Sequence, residues 1–134
     1  MLQLSDVRDW LKTAQPQFAN YYIGKLDQKK EMSLGVYTLN RGGPPVMALG
    51  GLQNSSYSIK QISLLIHWNK NQAETEEAAD ILFQYLMNAE PEMMGEYRVA
   101  FIGMLVPEPQ MVGTDDNGVY ESVIEFEIYY ERKE

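Results

Sequence analysis

The stretch Val119-Tyr120-Glu121-Ser122-Val123-Ile124-Glu125-Phe126-Glu127-Ile128-Tyr129-Tyr130 decides the fold. Side chains alternate across an extended chain, so Tyr120, Ser122, Ile124, Phe126, Ile128 and Tyr130 share one side and Glu121, Val123, Glu125, Glu127 and Tyr129 the other. One side is dry and the other carries carboxylates, which describes a strand in a sheet covered on one face. Just upstream, Asp115-Asp116-Asn117-Gly118 reads as a tight turn feeding this strand, with Asn117-Gly118 supplying positive φ. It fails as a calcium loop. Setting Gly118 at the sixth position puts Gly113, which has no side-chain oxygen, at the first ligand position.

Working outward, Tyr97 to Leu105 gives another strand, stopped by Pro107-Glu108-Pro109. Asn71 with Glu74 forms a capping box that opens a helix, and Ala78, Ile81, Leu82, Tyr85 and Leu86 make its apolar stripe up to Pro91. Tyr57 to Trp68 is a strand whose two faces, Ile62, Leu64, Ile66 and Trp68 against Ser63, Leu65 and His67, are both partly apolar. That places it inside the sheet. A first helix opens at Leu4-Ser5-Asp6-Val7 with Ser5 as N-cap and Val7, Trp10, Leu11 and Ala14 on one face, and Pro16 closes it. Tyr21 to Leu26 and Ser33 to Leu39 read as a hairpin joined by Asp27-Gln28-Lys29-Lys30-Glu31. From Asn40 to Ser56 four glycines and two prolines interrupt any regular pattern, and the apolar run Val46-Met47-Ala48-Leu49 is expected to find cover against a neighbour. The order predicts an α+β fold: a mainly antiparallel or mixed β-sheet with two helices packed on one face, in a single domain over residues 1–134.

The chain has 134 residues with 45% hydrophobic content, enough for one core without staples. It contains no Cys and one His, which excludes zinc fingers, iron–sulfur clusters, disulfide scaffolds and Cys nucleophiles. No apolar stretch approaches the ~18 residues of a membrane span. Met1 to Lys12 lacks the basic start and apolar run of a signal peptide, so the protein is expected to stay in the compartment where it is made. The net charge of −8 argues against nucleic acid as the main partner. Charge is also split along the chain: residues 1–71 carry eight basic groups against four acids, a net +4, and residues 72–134 three against fifteen, a net −12. Such polarity suits either opposed solvated faces or head-to-tail association.

Catalytic signals are sparse. His67 sits in a strand with no Gly-x-Ser-x-Gly turn in the chain, and neither Gly42-Gly43 nor Gly50-Gly51 leads into the Gly-Lys-Ser/Thr of a phosphate loop. Replacing His67 by Ala or Gln is therefore expected to leave function nearly intact, whereas Trp68→Ala damages the fold. Glu121, Glu125 and Glu127 share a strand face, an arrangement open to carboxylate-pair chemistry and equally to edge protection. No cofactor or metal is expected. Eight Met, nine Tyr and two Trp suit a contact-rich surface as well as a core.

The strand Ile59 to Trp68, the acidic helix Glu74 to Met87, the strand Arg98 to Leu105, then Pro107-x-Pro109, Val112-Gly113-x-Asp115 and Gly118-Val119-Tyr120-Glu121 resemble the tail terminator proteins of long-tailed bacteriophages, also described as tail completion or minor capsid proteins. The likeness covers roughly residues 57–132. It implies a non-enzymatic virion protein, made in the host bacterial cytoplasm, that closes into a ring, a homohexamer, at the head-proximal end of the tail tube. There it would stop tube polymerisation and contact the tail tube protein and a head completion or connector protein; an acidic lumen would, by repelling phosphate, also let DNA pass without specific binding. The residues expected at subunit or tube interfaces are Arg41, Val46, Met47, Leu49, Asp115, Asp116, Glu121, Glu125 and Glu127. Two other readings stay open: a small cytoplasmic α+β enzyme or ligand-binding domain with a carboxylate-lined pocket, and an adaptor whose acidic face acts as a decoy for a basic partner.

Overall fold

The computed structural model describes residues 1–39 and 57–131; the segment with Arg41, Val46, Met47 and Leu49 lies outside the described residues. In chain order the elements are α1 (Leu4–Ala14), β1 (Asn20–Ile23), β2 (Ser33–Thr38), β3 (Tyr57–His67), α2 (Gln72–Met87), β4 (Glu92–Met94), β5 (Tyr97–Met104), β6 (Gln110–Thr114) and β7 (Tyr120–Glu131). Among the described residues seven strands form one mixed sheet in the order β1-β2-β3-β7-β5-β4, and β6 also pairs with β7. Thus β7 has β3 along one edge, and along the other it meets β6 with its first half and β5 with its second.

The alternation read from the sequence sets the layers. Ser122, Ile124, Phe126, Ile128 and Tyr130 are buried with Ile62, Leu64 and Ile66 of β3 and Leu34 and Val36 of β2. Val7 and Leu11 of α1 and Ala78, Ala79, Leu82, Phe83 and Leu86 of α2 complete the core. Each such aliphatic side chain removed from water contributes about 1.5–3 kcal/mol. The two helices cover this face; among the described residues no helix covers the face bearing Glu121, Glu125 and Glu127. α1 packs on β1 and β2 and also on β4, so the sheet curls until strands from its two ends meet the same helix. Two ties fix that closure: the Met1 amine donates to the Tyr97 hydroxyl (2.6 Å), and the Trp10 indole N–H donates to Glu92.

Four local readings change. Gln3, not Ser5, is the N-cap of α1, and Asp6 Oδ2 accepts from the Gln3 N–H (3.0 Å), because a carboxylate three residues into the helix can reach back to that amide. Asn71 does cap α2, with Oδ1 accepting from Glu74 N–H (3.0 Å), but the Glu74 carboxylate turns to Asn69 Nδ2 (3.0 Å) and does not close a reciprocal box. The buried stripe of α2 runs Thr75, Ala78, Ala79, Leu82, Phe83, Leu86, a full three-four periodicity that leaves Ile81 on its flank and 50% exposed. The expected hairpin is absent: β1 and β2 pair in parallel, Tyr21 opposite Leu34 and Ile23 opposite Val36. The polar residues 27–31 lie within a longer loop, 24–32, that carries the chain back past the start of β2. Its ends are fixed by Gly24 N–H to Val36 O (2.9 Å) and Met32 N–H to Trp68 O (2.7 Å). The short strands β4 and β6 carry too few residues for a period to show in the sequence.

Candidate functional site

The helix-free face is built from the odd-numbered residues of β3 and β7, as strand alternation requires. His67 and Glu121 are register partners there, followed by Leu65 with Val123, Ser63 with Glu125 and Gln61 with Glu127. Glu127 accepts from Gln61 Nε2 (3.4 Å) and from the Tyr129 hydroxyl (2.7 Å). That hydrogen bond, with burial second, raises the Tyr129 phenol above the ordinary tyrosine range. Aromatic rings lie along this face over glycines. Tyr37 covers Gly35, where an added Cβ would stand 2.7 Å from the ring, and Phe101 covers Gly103 while packing on Tyr129 at 5.4 Å between centroids. Phe101 stays 59% exposed and Tyr57 43%. Exposed aromatic rings such as these suit polypeptide contact.

At the other end of the face, His67 is fully buried. Its Nδ1 is 2.9 Å from Glu121 Oε2 and its Nε2 is 3.0 Å from the carbonyl oxygen of Gln28 in loop 24–32. Asp115 Oδ2 lies 3.7 Å from Nε2 and has no hydrogen-bond partner among the described residues, although the Asp115 side chain is only 4% exposed. The other oxygen, Oδ1, accepts from Asn117 N–H (2.9 Å) and Val119 N–H (3.0 Å), which shapes the turn before β7. Gly118 carries the positive φ there, and Asn117 does not. Burial, and next the Glu121 charge, raise the Tyr37 phenol. An open cleft of about 800 Å³ lies alongside, lined by Tyr22, Lys25, Asp27, Lys29, Tyr37 and Glu121 among others.

The sequence shows no partner that would make His67 a catalytic base; in the structure two carboxylates and a carbonyl surround it. The signal lay in the register: an antiparallel pairing of the two strands sets His67 against Glu121. The arrangement is not that of an exposed base. Both ring nitrogens are occupied, and Ser33, the β2 residue beside His67, donates its hydroxyl to Lys30 O (2.7 Å). Among the described residues no group of three or more His, Asp or Glu side chains is placed to hold a metal ion.

The expected interface residues therefore separate in the structure. Asp115 and Glu121 turn inward to His67; Asp116 is exposed on the turn; Glu125 and Glu127 are half-buried on the open face. No described helix is long and apolar enough to cross a membrane. A family model described as bacteriophage tail terminator protein matches residues 1–132 of the chain. No curated protein matches it.

Proposed function

Because the chain belongs to the bacteriophage tail terminator family and so is a structural protein of the phage tail, we infer that it caps the head-proximal end of the tail tube as a ring, stops tube polymerisation and presents the joining surface for the head. The observation that carries this reading is the family match over nearly the whole chain. The sheet face that no described helix covers supports it, since the exposed aromatic rings at that face suit contact with the tube protein or with the next subunit. Ring closure needs two different surfaces on each subunit, and the split of charge along the chain offers them. The contacts are made by Asp116, Glu125 and Glu127 together with Arg41, Val46, Met47 and Leu49, while Asp115 and Glu121 hold the turn that presents Asp116. Six copies form the ring. An acidic wall around the opening repels phosphate and lets DNA pass without sticking. The role requires no catalysis and no cofactor.

One observation favours a ligand-binding reading, the cleft of about 800 Å³ beside loop 24–32. Its carboxylates are already engaged: Glu121 faces His67, and Asp27 Oδ1 accepts from Lys29 N–H (3.0 Å). The cleft is also open, which suits a docked polypeptide better than a small molecule enclosed on most sides.

Tails assembled with and without the protein test the capping role. Electron microscopy and copy counting should show a closed ring at one tube end and overlong tubes when the protein is left out. One or two copies per tail, or unchanged tube lengths without it, would overturn the reading.

A further inference from the structure

His67 is the one histidine of the chain, and every partner around it is an acceptor. A neutral imidazole has one N–H and one bare lone pair. Here Nδ1 meets the Glu121 carboxylate and Nε2 meets the Gln28 carbonyl, so a neutral ring would leave one lone pair pointing at an acceptor. Asp115 adds a second carboxylate oxygen on the Nε2 side, buried and without a hydrogen-bond partner among the described residues. A ring with both nitrogens protonated satisfies both hydrogen bonds and places a positive charge against two buried or half-buried carboxylates, the condition under which buried charge is tolerated.

These partners come from segments far apart in sequence: His67 from β3, Glu121 from β7, Asp115 from the β6–β7 turn and Gln28 from the middle of loop 24–32. The other charged or titratable groups around them are Tyr37 on β2 and Lys25, Asp27 and Lys29 of the loop, which line the cleft with Glu121. The ends of the loop are held by backbone bonds to β2 and to Trp68, and its middle is tied to the sheet through Gln28. We propose that His67 is a protonation-controlled latch: as the imidazolium it clamps loop 24–32 and the 115–119 turn onto the β3–β7 pair, and loss of its proton frees the middle of the loop from the cleft it borders. The device makes the shape of that cleft depend on pH without any ligand.

The test uses the unaltered protein, since its single histidine gives one imidazole signal. Nitrogen-resolved NMR from about pH 5 to about pH 9, a range wider than the ordinary histidine window, reads the protonation of each ring nitrogen. Amide exchange, expressed as protection against an unstructured chain, reads the loop at Lys29 and Lys30. The expected result is two N–H signals at the acid end and, at the midpoint where one is lost, a fall in Lys29 and Lys30 protection of about tenfold or more, the effect of losing one charge-assisted hydrogen bond. Amides of the β3–β7 ladder should keep their protection. A neutral ring at the acid end, with the proton on Glu121, overturns the proposal. So does a ring that loses its proton while the protection of the loop stays unchanged.

Discussion

His67 and Glu121 face each other directly across β3 and β7, with Nδ1 2.9 Å from Oε2, and the same ring reaches Gln28 with its other nitrogen. A side chain expected to be dispensable is thus the junction of two strands, a loop and a turn. His67→Ala would leave the Glu121 carboxylate and the Gln28 carbonyl each without the ring nitrogen it faces, and stability should fall by about 2–3 kcal/mol, in the range for buried polar groups left unsatisfied. Urea denaturation at neutral pH measures this. Glu121→Gln keeps an acceptor for Nδ1 and should cost about 1 kcal/mol.

Trp68→Ala should also weaken the fold. Trp68 packs edge-to-face on Phe18 (5.2 Å between centroids) and lies against the core, while its backbone joins Met32 and Tyr120. Truncating a Trp at such a position costs about 3 kcal/mol. A denaturation midpoint equal to that of the unaltered protein would contradict this.

Gly95 sits at φ 58 in the β4–β5 turn, and a Cβ there would run into the Asp6 carboxylate that caps α1. Gly24 has a similar φ of 66 but open space around it. Gly24→Ala should cost about 1 kcal/mol from left-handed backbone strain alone. Gly95→Ala should cost distinctly more, since it also displaces the cap. Thermal melts of the two variants, run side by side, give the comparison.

Stability should decline above about pH 10. Four phenols are raised: Tyr21, Tyr37 and Tyr85 chiefly by burial, and Tyr129 chiefly by its hydrogen bond to Glu127. The folded protein therefore holds these protons to higher pH than the unfolded chain does, so stability present below the unfolded value is lost as pH rises through the folded one. Lys60 works in the opposite sense below that range. Burial lowers it, against a smaller opposing effect of Asp6, so its contribution improves as pH rises toward the ordinary lysine value. Denaturation across alkaline pH should show the fall, and Tyr129→Phe should flatten part of it.

The layers of the fold were legible because strand alternation at residues 119–130 and helical periodicity at residues 71–87 are long enough to show their periods. The parallel β1–β2 pair was not, because the residues that turn the chain, Asp27 to Glu31, look the same in a tight reversal and in a loop that runs back past the start of the strand. Nothing local distinguishes the two; the difference lies in Gln28 meeting His67, a contact across thirty-nine positions. The carboxylates of the open face were legible by parity alone. Their division into inward and outward members was not, since it depends on Asp115 folding under its own turn.

The closure of the sheet by α1 bears on the order of synthesis. Met1 and Trp10 are tied to Tyr97 and Glu92, ninety-six and eighty-two positions later, so α1, which meets β1 and β2 early, is fully docked only once the β4–β5 hairpin exists. β7, the strand that joins β3, β5 and β6, comes later still. Contacts of such sequence separation make folding slow and delay its completion until β7 has been made. A prematurely terminated chain would lack the strand that unites the sheet, and so could not compete with complete subunits for a place in the tail.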